Sequence, residues 1–447
     1  MHASNVLDFM FDTKWDDLPP SVQNMAENCV FDLLGVAAGA LATDATKIIG
    51  DHAVRHFGAG SGPAARLLFD GRSASPVGMA LAGAMSIDSL DGHDGYPPAK
   101  GHIGVSVLPA ILAVADTMPS TFDGRALLNL VVIGYELGAR MAVAQHSTTT
   151  DYHASGSWNG VACAAIVARM LGLDQSLVRE AMGIAEYHGP RSQMMRCIEH
   201  PTMVKDSSGW GAMTGVSSAY LAGSGFTGAP AIIVEAPEVE SIWQDLGSRW
   251  IINEQYFKPY PVCRWAHGQI AAVQSLQRDH DIRHEAVEHI EIITFYEACC
   301  LNHPRPSNTE QAQYSLPFPV AAMLVKGKVG AEEITTGLND PDILRLSDRV
   351  EMTEATLQDS RYTGQRISKA VITMADGTRY ESDNTPPIGS PETPLTREEL
   401  ETKFHDLADP FLGVEHATRV KESVAALGNG GPIGQFLDTV LTTSDSL

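Results

Sequence analysis

The 447-residue sequence predicts a mainly α-helical protein with a smaller α+β domain. Apolar residues recur with a 3.6-residue period through most of the first 265 residues, which is the period of helices that bury one face. Residues 287–295 (VEHIEIITF) are rich in β-branched side chains and predict a strand. Helical periodicity returns after the proline-rich segment 385–394. These three observations together define the fold class.

The first part of the chain predicts one helix after another. Pro19-Pro20-Ser21 precedes a long helix over residues 22–41, which carries apolar residues around most of its circumference and is therefore expected to be buried on several sides. Small residues such as Gly209, Gly211 and Gly215 recur in the later helices and allow helices to approach closely. Those later helices are expected near residues 75–90, 103–117, 124–145, 157–171, 175–187 and 207–223.

The pattern changes after Pro259, and Asp376-Gly377 is typical of a β-hairpin turn. In chain order, the predicted elements are a helix near 266–278, strands at 287–295, 349–354, 367–374 and 379–382, a helix at 315–326, and helices near 396–407, 413–425 and 431–442. We therefore predict an all-helical domain built from residues 1–265 and 396–447, and an α+β lid domain of residues 266–395.

The formal net charge of −23 limits the partners that this protein can have. An acidic surface repels nucleic acids and anionic membranes, so neither is expected as a partner. It also repels an anionic substrate, so a site for one must concentrate its cations locally. The N-terminus (MHASNVLDFMFDTKWDD) lacks the regions of a signal peptide, and the six cysteines show no zinc spacing. We expect a cytoplasmic, reduced protein without a metal site.

The loop between the helices predicted near 75–90 and 103–117 is the first candidate site. It contains three glycines and two prolines, and loops between packed helices often carry function. Helix capping by the aspartates and a solvated lysine explains the composition equally well, and an Asp-x-His-Asp metal site is a weaker alternative. The titratable residues of this segment are Asp88, Asp91, His93, Asp94, Lys100 and His102.

A second candidate is Asp151-Tyr152-His153, which lies just before a predicted helix. The positive end of the helix dipole favours a neutral imidazole in His153, and a neutral imidazole can accept a proton or donate a hydrogen bond. The alternatives are an N-terminal cap region for the histidine and a packed aromatic role for Tyr152.

A third candidate is the turn-rich stretch YHGPRSQMMRCIEHPTMVK, residues 187–205, which precedes another helix. It contains Arg191, Arg196 and Lys205, and cations beside a helix N-terminus favour anion binding. Lys205, if buried among small residues, would have a lowered pKa and would serve as a base. A surface basic patch is the alternative explanation.

The fourth candidate lies at the predicted domain junction, where ligand sites are common. The segment KPYPVCRWAH supplies Lys258, Arg264 and His267. Cys263 is expected to be a small buried hydrophobic residue. No nucleophile elbow, dinucleotide-binding loop or P-loop occurs in the sequence. The sequence therefore favours general acid/base chemistry supported by several cations.

Taken together, these segments resemble the MmgE/PrpD family over essentially the whole chain. The resemblance depends on the loop ending in Lys100-Gly101-His102, on His153 before a Gly/Ser-rich helix, on Lys205 with Gly209 and Gly211, on Lys258-Pro-Tyr-Pro with His267, and on QAQYSLPFPVAAML at residues 311–324. It implies a helical domain formed from both ends of the chain, an α+β lid, a homodimer, an active site in the cleft between the domains, and no metal or organic cofactor.

The resemblance also implies roles for individual residues. Asp91, His102, His153, Lys205 and Lys258 fall where the cis-aconitate decarboxylases of the family have site residues. Two positions depart from that pattern, because Cys263 replaces a catalytic His and Phe318 replaces a Tyr; both count against decarboxylation. The loop Asp91-Gly-His-Asp-Gly-Tyr96 also departs from the Asp-Phe-Asn-Asp-Thr pattern of the dehydratases. The residues expected to bind substrate carboxylates are Lys100, Arg191, Arg196, Lys258, Arg264 and His267.

This set of cations favours a small polycarboxylate as the substrate. The expected reaction is epimerisation at a carbon next to a carboxylate, as in the iminodisuccinate epimerases of the family. The base and the acid are expected among Lys205, Tyr152, His102 and His153. A hydro-lyase that dehydrates 2-methylcitrate or a related hydroxy-tricarboxylate is the main alternative. An inactive carboxylate-binding protein is a further one.

Overall fold

In the computed structural model, which describes residues 2–355 and 366–443, helices follow one another through the first half of the chain. The prediction of a mainly helical protein is therefore confirmed. In chain order the helices are α1 (His2–Asp12), α2 (Pro20–Gly39), α3 (Asp44–His56), α4 (Pro76–Leu90), α5 (Gly104–Ala115), α6 (Gly124–Thr148), α7 (Gly156–Met170), α8 (Gln175–His188), α9 (Met195–Glu199), α10 (Ser208–Gly223), α11 (Ile232–Glu235) and α12 (Glu240–Trp243).

The sequence analysis missed α1 and α3. In α3 only Ala45, Gly50 and Ala53 are buried, so the helix has no stripe of large apolar side chains that would reveal its period. A short ribbon, β1 (Ala65–Arg66) paired antiparallel with β2 (Ser73–Ala74), lies between α3 and α4 and was also missed.

Small residues bring α7 and α10 into close contact. A Cβ atom on Gly211 would lie 2.4 Å from the Gly156 carbonyl oxygen, and a Cβ atom on Gly215 would lie 2.4 Å from Cys163 Cβ. Neither position has room for a side chain. The N-termini of the two helices consequently lie side by side, and the Gly156 amide donates to the Asp206 carbonyl at 2.9 Å. This packing brings two of the candidate segments together.

The second part of the chain contains a four-stranded sheet in the order β4-β3-β5-β6. The strand β3 (Val287–Thr294) pairs parallel with β4 (Val350–Glu354) and antiparallel with β5 (Lys369–Met374), which pairs antiparallel with β6 (Arg379–Glu381). The predicted α+β character is thus confirmed. The accompanying helices are α13 (His267–Asp279), α14 (Tyr296–Cys299), α15 (Thr309–Gln313), α16 (Pro317–Lys326), α17 (Ala331–Ile334) and α18 (Pro341–Ser347).

The last helices return to the first half of the chain. They are α19 (Arg397–Leu412), α20 (Val414–Leu427) and α21 (Gly434–Val440). The Phe404 ring of α19 stacks on the Phe31 ring of α2 with centroids 4.3 Å apart. A Cβ atom on Gly35 would lie 2.9 Å from Phe404 Cδ2, so α19 and α2 are in direct contact.

Residues 20–42 and α6 are long and apolar enough to cross a membrane, judged by length and composition alone. In the structure, 72% of the most apolar 18-residue stretch of the first segment and 89% of that of α6 are buried against the rest of the protein. Their apolar composition is therefore explained by their position in the core.

Candidate active site

The candidate segments meet at a cleft with about 440 Å³ of empty space. One wall comes from the loops after α4 and before α7 and α10, and the other comes from the segment before α13 and from Arg366. The cleft is lined by Asp91, Tyr96, Pro97, Lys100, Gly101, His102, Tyr152, Met194, Ile198, Asp206, Tyr256, Lys258, Cys263, Arg264, Trp265, Tyr314 and Arg366.

A buried ion pair joins Asp91 to Lys258. Lys258 Nζ donates to Asp91 Oδ1 at 2.6 Å and to the Asp91 carbonyl at 3.0 Å. Lys205 Nζ lies 4.0 Å from Asp91 Oδ2. Burial alone would raise the pKa of Asp91, but the charges of Lys258 and Lys205 outweigh it and hold this pKa well below the usual range. Burial also disfavours the charged form of Lys258, but the negative charge of Asp91 raises the pKa of Lys258 above its usual value. The pair therefore stays ionised at neutral pH.

Lys205 is fixed by residues that precede α16. Its ammonium group donates to Gln313 Oε1 and lies 4.5 Å from the centroid of the Tyr314 ring. Gln313 in turn donates to the Ser89 carbonyl at the end of α4 at 2.7 Å. Lys205 is thus adjacent to the cleft but does not line it, and it contributes a fixed positive charge behind Asp91.

His102 is held neutral and in one tautomer. Burial, followed by the neighbouring His93 and Lys258, lowers its pKa to about 3. Its Nδ1 lies 2.6 Å from the Asp94 carbonyl, which only accepts hydrogen bonds, so Nδ1 carries the proton. The Ser155 hydroxyl accepts from the His102 amide at 3.1 Å, and Asn159 donates to the His102 carbonyl at 2.8 Å. The lone pair of Nε2 is therefore the one that His102 offers to a substrate.

Two further carboxyl groups belong to this wall: Asp88 lies behind it and Asp206 faces the cleft. Asp88 accepts from the Asp206 and Ser208 amides at 3.2 and 3.4 Å, and burial raises its pKa to about 6. Asp206 lines the cleft and accepts from the Ser155 hydroxyl at 2.6 Å. Burial and the negative charge of Asp88 raise the pKa of Asp206. Asp206 can therefore hold a proton at higher pH than an ordinary carboxyl group.

Arg264 is a buried cation on the opposite wall. Its guanidinium lies 4.4 Å from the Tyr256 ring centroid and donates to the Ile388 carbonyl and the Ser390 hydroxyl, both at 2.6 Å. Its Nη atoms also lie 3.4 Å from the Pro387 carbonyl and 3.5 Å from His267 Nδ1, so the hydrogen-bond partners that the structure records for it among the described residues are all neutral. A guanidinium held only by neutral acceptors and an aromatic ring is suited to a carboxylate of a ligand.

His267 does not reach the cleft, contrary to the substrate-binding role predicted for it. Its Nε2 lies 3.1 Å from the Val262 carbonyl and its Nδ1 lies 3.5 Å from Arg264 Nη1. Burial, with the charge of Arg264, holds its pKa well below the usual value. The first turn of α13 faces the interior, so His267 supports Arg264 from behind.

Tyr152 and Lys100 meet at the mouth of the cleft. The Tyr152 hydroxyl donates to the Lys100 carbonyl at 2.6 Å, and Lys100 Nζ lies 6.0 Å from the Tyr152 ring centroid. His153, the next residue, forms a β-bridge with Gln193 and points the other way, because successive residues of an extended segment face opposite sides. Its Nδ1 lies 2.8 Å from the Asp151 carbonyl. His153 is therefore outside the cleft.

Arg191 and Arg196 are exposed and do not line the cleft, which departs from their predicted binding role. The turn that leads into α9 directs Met194 and Ile198 toward the cleft and leaves Arg196 on the opposite face. Phe318 stands where the decarboxylases have a tyrosine. It lies fully buried in α16, away from the cleft, so this position does not contact a substrate bound there.

Cys263 lines the cleft and is only half-buried, whereas the sequence analysis expected a buried hydrophobic residue. Burial, then the negative charge of Asp91, raises the pKa of its thiol to about 11. The thiol is therefore protonated at neutral pH, so Cys263 contributes to the lining of the cleft and does not act as a nucleophile.

Sequence reasoning missed Tyr96, Tyr256, Tyr314 and Arg366 as individual residues. Tyr256 comes two residues before the KPYP segment, and Tyr314 lies within the quoted segment 311–324, so both had a nearby signal. Arg366 is about 100 residues from the other wall residues in sequence, and no motif marks it. Among the described residues, no group of three or more His, Cys, Asp or Glu side chains is arranged to hold a metal ion.

The fold is mainly helical with a smaller α+β part, and its cleft brings a neutral histidine together with several cationic side chains. Comparison with known families identifies the group. The profile of the MmgE/PrpD N-terminal domain matches residues 5–239, and that of the MmgE/PrpD C-terminal domain matches residues 260–429. The chain belongs to the MmgE/PrpD family, as the sequence analysis predicted.

Curated relatives resemble the chain over most of its length. The cis-aconitate decarboxylase-like protein oryM of Aspergillus oryzae is 23% identical over 480 residues, which cover 97% of this chain and 96% of that protein. The cis-aconitate decarboxylase of Aspergillus terreus is 23% identical over 472 residues, covering 95% and 92%. That of Homo sapiens is 23% identical over 359 residues, covering 75% and 73%.

Proposed function

We propose that this protein is an enzyme that transfers a proton at a carbon next to a carboxylate of a small polycarboxylate, without an organic cofactor. One observation carries the proposal: a neutral histidine, His102, shares a small cleft with the cations Lys100, Lys258, Arg264 and Arg366. The relatives named above as cis-aconitate decarboxylases support a polycarboxylate as the substrate class.

The cations explain how an acidic protein binds an anionic substrate. The chain carries a net charge of −23, so most of its surface repels an anionic substrate. The positive charges concentrated at the cleft attract such a substrate locally. Arg264 supplies a buried positive charge that attracts one carboxylate, and Lys100 supplies another at the exposed rim. The same cations stabilise the enediolate-like charge that develops when the neighbouring carbon loses its proton.

The expected reaction is epimerisation, in which one group removes a proton and a second returns it on the other face. Of the residues considered for this pair, His102 and Tyr152 line the cleft. His102 supplies an imidazole whose unprotonated Nε2 would be the acceptor for that proton. Burial raises the pKa of Tyr152 well above its usual value, so Tyr152 remains a protonated donor. Lys205 acts through Asp91 as a positioning charge.

A second candidate is dehydration of a hydroxy-tricarboxylate. The observation that favours it is Asp206, a cleft carboxyl group whose pKa is raised by burial and by Asp88. Such a group can protonate a leaving hydroxyl after His102 has removed the neighbouring proton.

The test follows stereochemically defined di-, tri- and tetracarboxylates by NMR in deuterated water. Epimerisation incorporates deuterium next to a carboxylate and inverts the configuration there. Dehydration instead produces a conjugated alkene that absorbs in the ultraviolet, and decarboxylation releases carbon dioxide. The His102→Gln variant is expected to lose the activity. A matched control, His405→Gln, removes a half-buried histidine of α19 that lies 2.9 Å from Asp409 and does not line the cleft, so it should keep the activity.

Absence of proton exchange with every carboxylate would contradict the proposal. If polycarboxylates nevertheless raised the melting temperature, the protein would be a carboxylate-binding protein on this scaffold.

A further inference from the structure

A lysine from the C-terminal part of the chain holds the loop that carries the candidate acid/base residues. Lys403 of α19 is 9% exposed, and its Nζ donates to the Gly92 carbonyl at 2.8 Å. The same Nζ donates to Asp32 Oδ1 of α2 at 2.5 Å. Lys403 thus joins α2, α19 and the loop after α4, three segments that are distant in sequence.

Two features of the cleft depend on this loop. Asp91, the residue before Gly92, presents both its carbonyl and its carboxylate to Lys258. Asp94, two residues after Gly92, presents its carbonyl to His102 Nδ1 at 2.6 Å and so fixes the tautomer of that imidazole. A shift of the Gly92 peptide would move both carbonyls, because they lie within two residues of it along the chain.

The negative charges of Asp32 and Asp94 favour a cation at Lys403, but they do not fully offset the cost of burying it. Asp32 Oδ2 is buried and has no hydrogen-bond partner among the described residues, so the pair with Lys403 leaves one oxygen of this carboxylate unsatisfied. Burial of Lys403 itself opposes its charge and lowers its pKa. A buried ion pair contributes little net stability when compared with apolar side chains of similar size. A lysine at this position donates a hydrogen bond to the Gly92 carbonyl, and an apolar residue could not.

We propose that Lys403 is a positioning residue of the active site, which holds the Gly92 peptide so that Asp91 meets Lys258 and the Asp94 carbonyl meets His102. The inference rests on the proposed function, since it assigns Lys403 to the same acid/base site. Lys403 touches no substrate in this arrangement, because it does not line the cleft.

The test separates the bond to Gly92 from the ion pair with Asp32. The Lys403→Met variant leaves Asp32 buried without its cation, so this variant alone could fail to fold. The Asp32→Asn/Lys403→Met double variant removes both charges and the bond to Gly92. The Asp32→Asn variant keeps the bond to Gly92 but leaves the buried Lys403 without its ion-pair partner, so its fold is checked by circular dichroism before its kcat is compared. A matched control, Lys421→Met, breaks a half-buried pair with Glu401 (2.7 Å) on the neighbouring helix and leaves the loop untouched.

We expect the double variant to lower kcat by at least about tenfold, since a 1 Å misplacement of a catalytic group can cost about 10²-fold, and to change KM less than threefold. KM should change less than kcat because Arg264, on the opposite wall, is held by Ile388 and Ser390 and does not depend on this loop. Asp32→Asn and Lys421→Met should keep at least half of the wild-type kcat. With ¹⁵N-labelled histidine, the NMR shifts of His102 should show a single Nδ1–H tautomer in the wild type and a mixture in the double variant.

The inference is overturned if the double variant keeps the wild-type kcat and a single His102 tautomer, or if Asp32→Asn loses as much activity as the double variant. A wild type that exchanges no proton with any polycarboxylate refutes the proposed function instead. In that case the tautomer of His102 still decides the role of Lys403.

Discussion

The ion pair between Asp91 and Lys258 permits a quantitative prediction for the Lys258→Met variant. The two side chains are 4% and 1% exposed, and their charged atoms are 2.6 Å apart. Loss of one partner of a buried pair leaves an uncompensated charge and costs about 3–5 kcal/mol of the free energy of unfolding. Lys205, at 4.0 Å from Asp91, offsets part of this loss, so we expect a value near the lower limit.

The same pair predicts how the loss depends on pH. In the wild type, the pKa of Asp91 lies below its unfolded value of 3.8, so the ionised carboxylate stabilises the fold above that pH, and this stability is lost as the pH falls. Without Lys258, burial dominates and the pKa of Asp91 moves upward. The stability deficit of the variant should therefore be largest at pH 7 and shrink as the pH approaches 4, where Asp91 becomes protonated.

Urea unfolding at pH 7 and pH 4.5, followed by circular dichroism, measures this deficit from midpoints and slopes. A control variant, Lys326→Met, removes an exposed pair with Asp340 (2.7 Å) and should leave the midpoint unchanged. The Asp91→Asn/Lys258→Met double variant should recover at least half of the loss. The reasoning fails if Lys258→Met unfolds at the same urea concentration as the Lys326 control, or if its deficit grows as the pH falls.

Three further predictions concern single residues of the site and its surroundings. His102→Gln should lower kcat by about 10²–10⁴, and the kcat of the wild type between pH 5 and 9 should show no step from His102, whose pKa is about 3; a residual rate above one tenth would contradict its role. Arg264→Lys should raise KM about tenfold or more, because a compact ammonium group cannot reproduce the planar guanidinium, whose two Nη atoms reach the Ile388 carbonyl and the Ser390 hydroxyl separately; a KM within twofold of the wild type would refute this. Burial raises the pKa of Asp94 to about 7, so its protonated form contributes stability below pH 3.8 that is lost as the pH rises through 7. The free energy of unfolding of Asp94→Asn, compared with that of the wild type, should therefore rise by about 2 kcal/mol from pH 5 to pH 8, as measured by urea midpoints. A difference between the two proteins that stays constant with pH would disprove the raised pKa of Asp94.

The fold was predictable wherever apolar periodicity is strong. The helices α4 and α10, and the strand β3, begin and end within two residues of the predicted positions. The buried residues of α10 and β3 repeat at the spacing of the element, and α4 is apolar and buried along nearly its whole length. The helix α3 was not predictable in this way, because it buries only small residues. Its apolar pattern is too sparse to distinguish it from a loop.

The segments of the site were predictable, but the directions of their side chains were not. Tyr152 and His153 are adjacent in sequence, yet one faces the cleft and the other bonds the Asp151 carbonyl. Arg196 and Ile198 show the same division in α9. Which face of a short extended or helical piece meets the cleft depends on packing between distant segments. The composition of a segment therefore identifies it as part of the site but does not determine which of its side chains face the cleft.

Backbone conformation provides an independent indication of where the site lies. Left-handed φ values cost an ordinary residue about 1–3 kcal/mol and persist where the surroundings enforce them. At the cleft, the bond from Tyr152 to the Lys100 carbonyl and the bond from Lys258 to the Asp91 carbonyl hold two such residues in place. Glycine would adopt these conformations without strain, but it would remove the charged side chains that the cleft contains. The non-glycine residues with positive φ in the described part of the chain are Phe69, Asp91, Lys100, Lys205, Ser207 and Arg366. All but Phe69 line the cleft or flank Asp206, which does. The strain is therefore concentrated where side-chain placement matters for chemistry, which supports an active site at this position without reference to any relative.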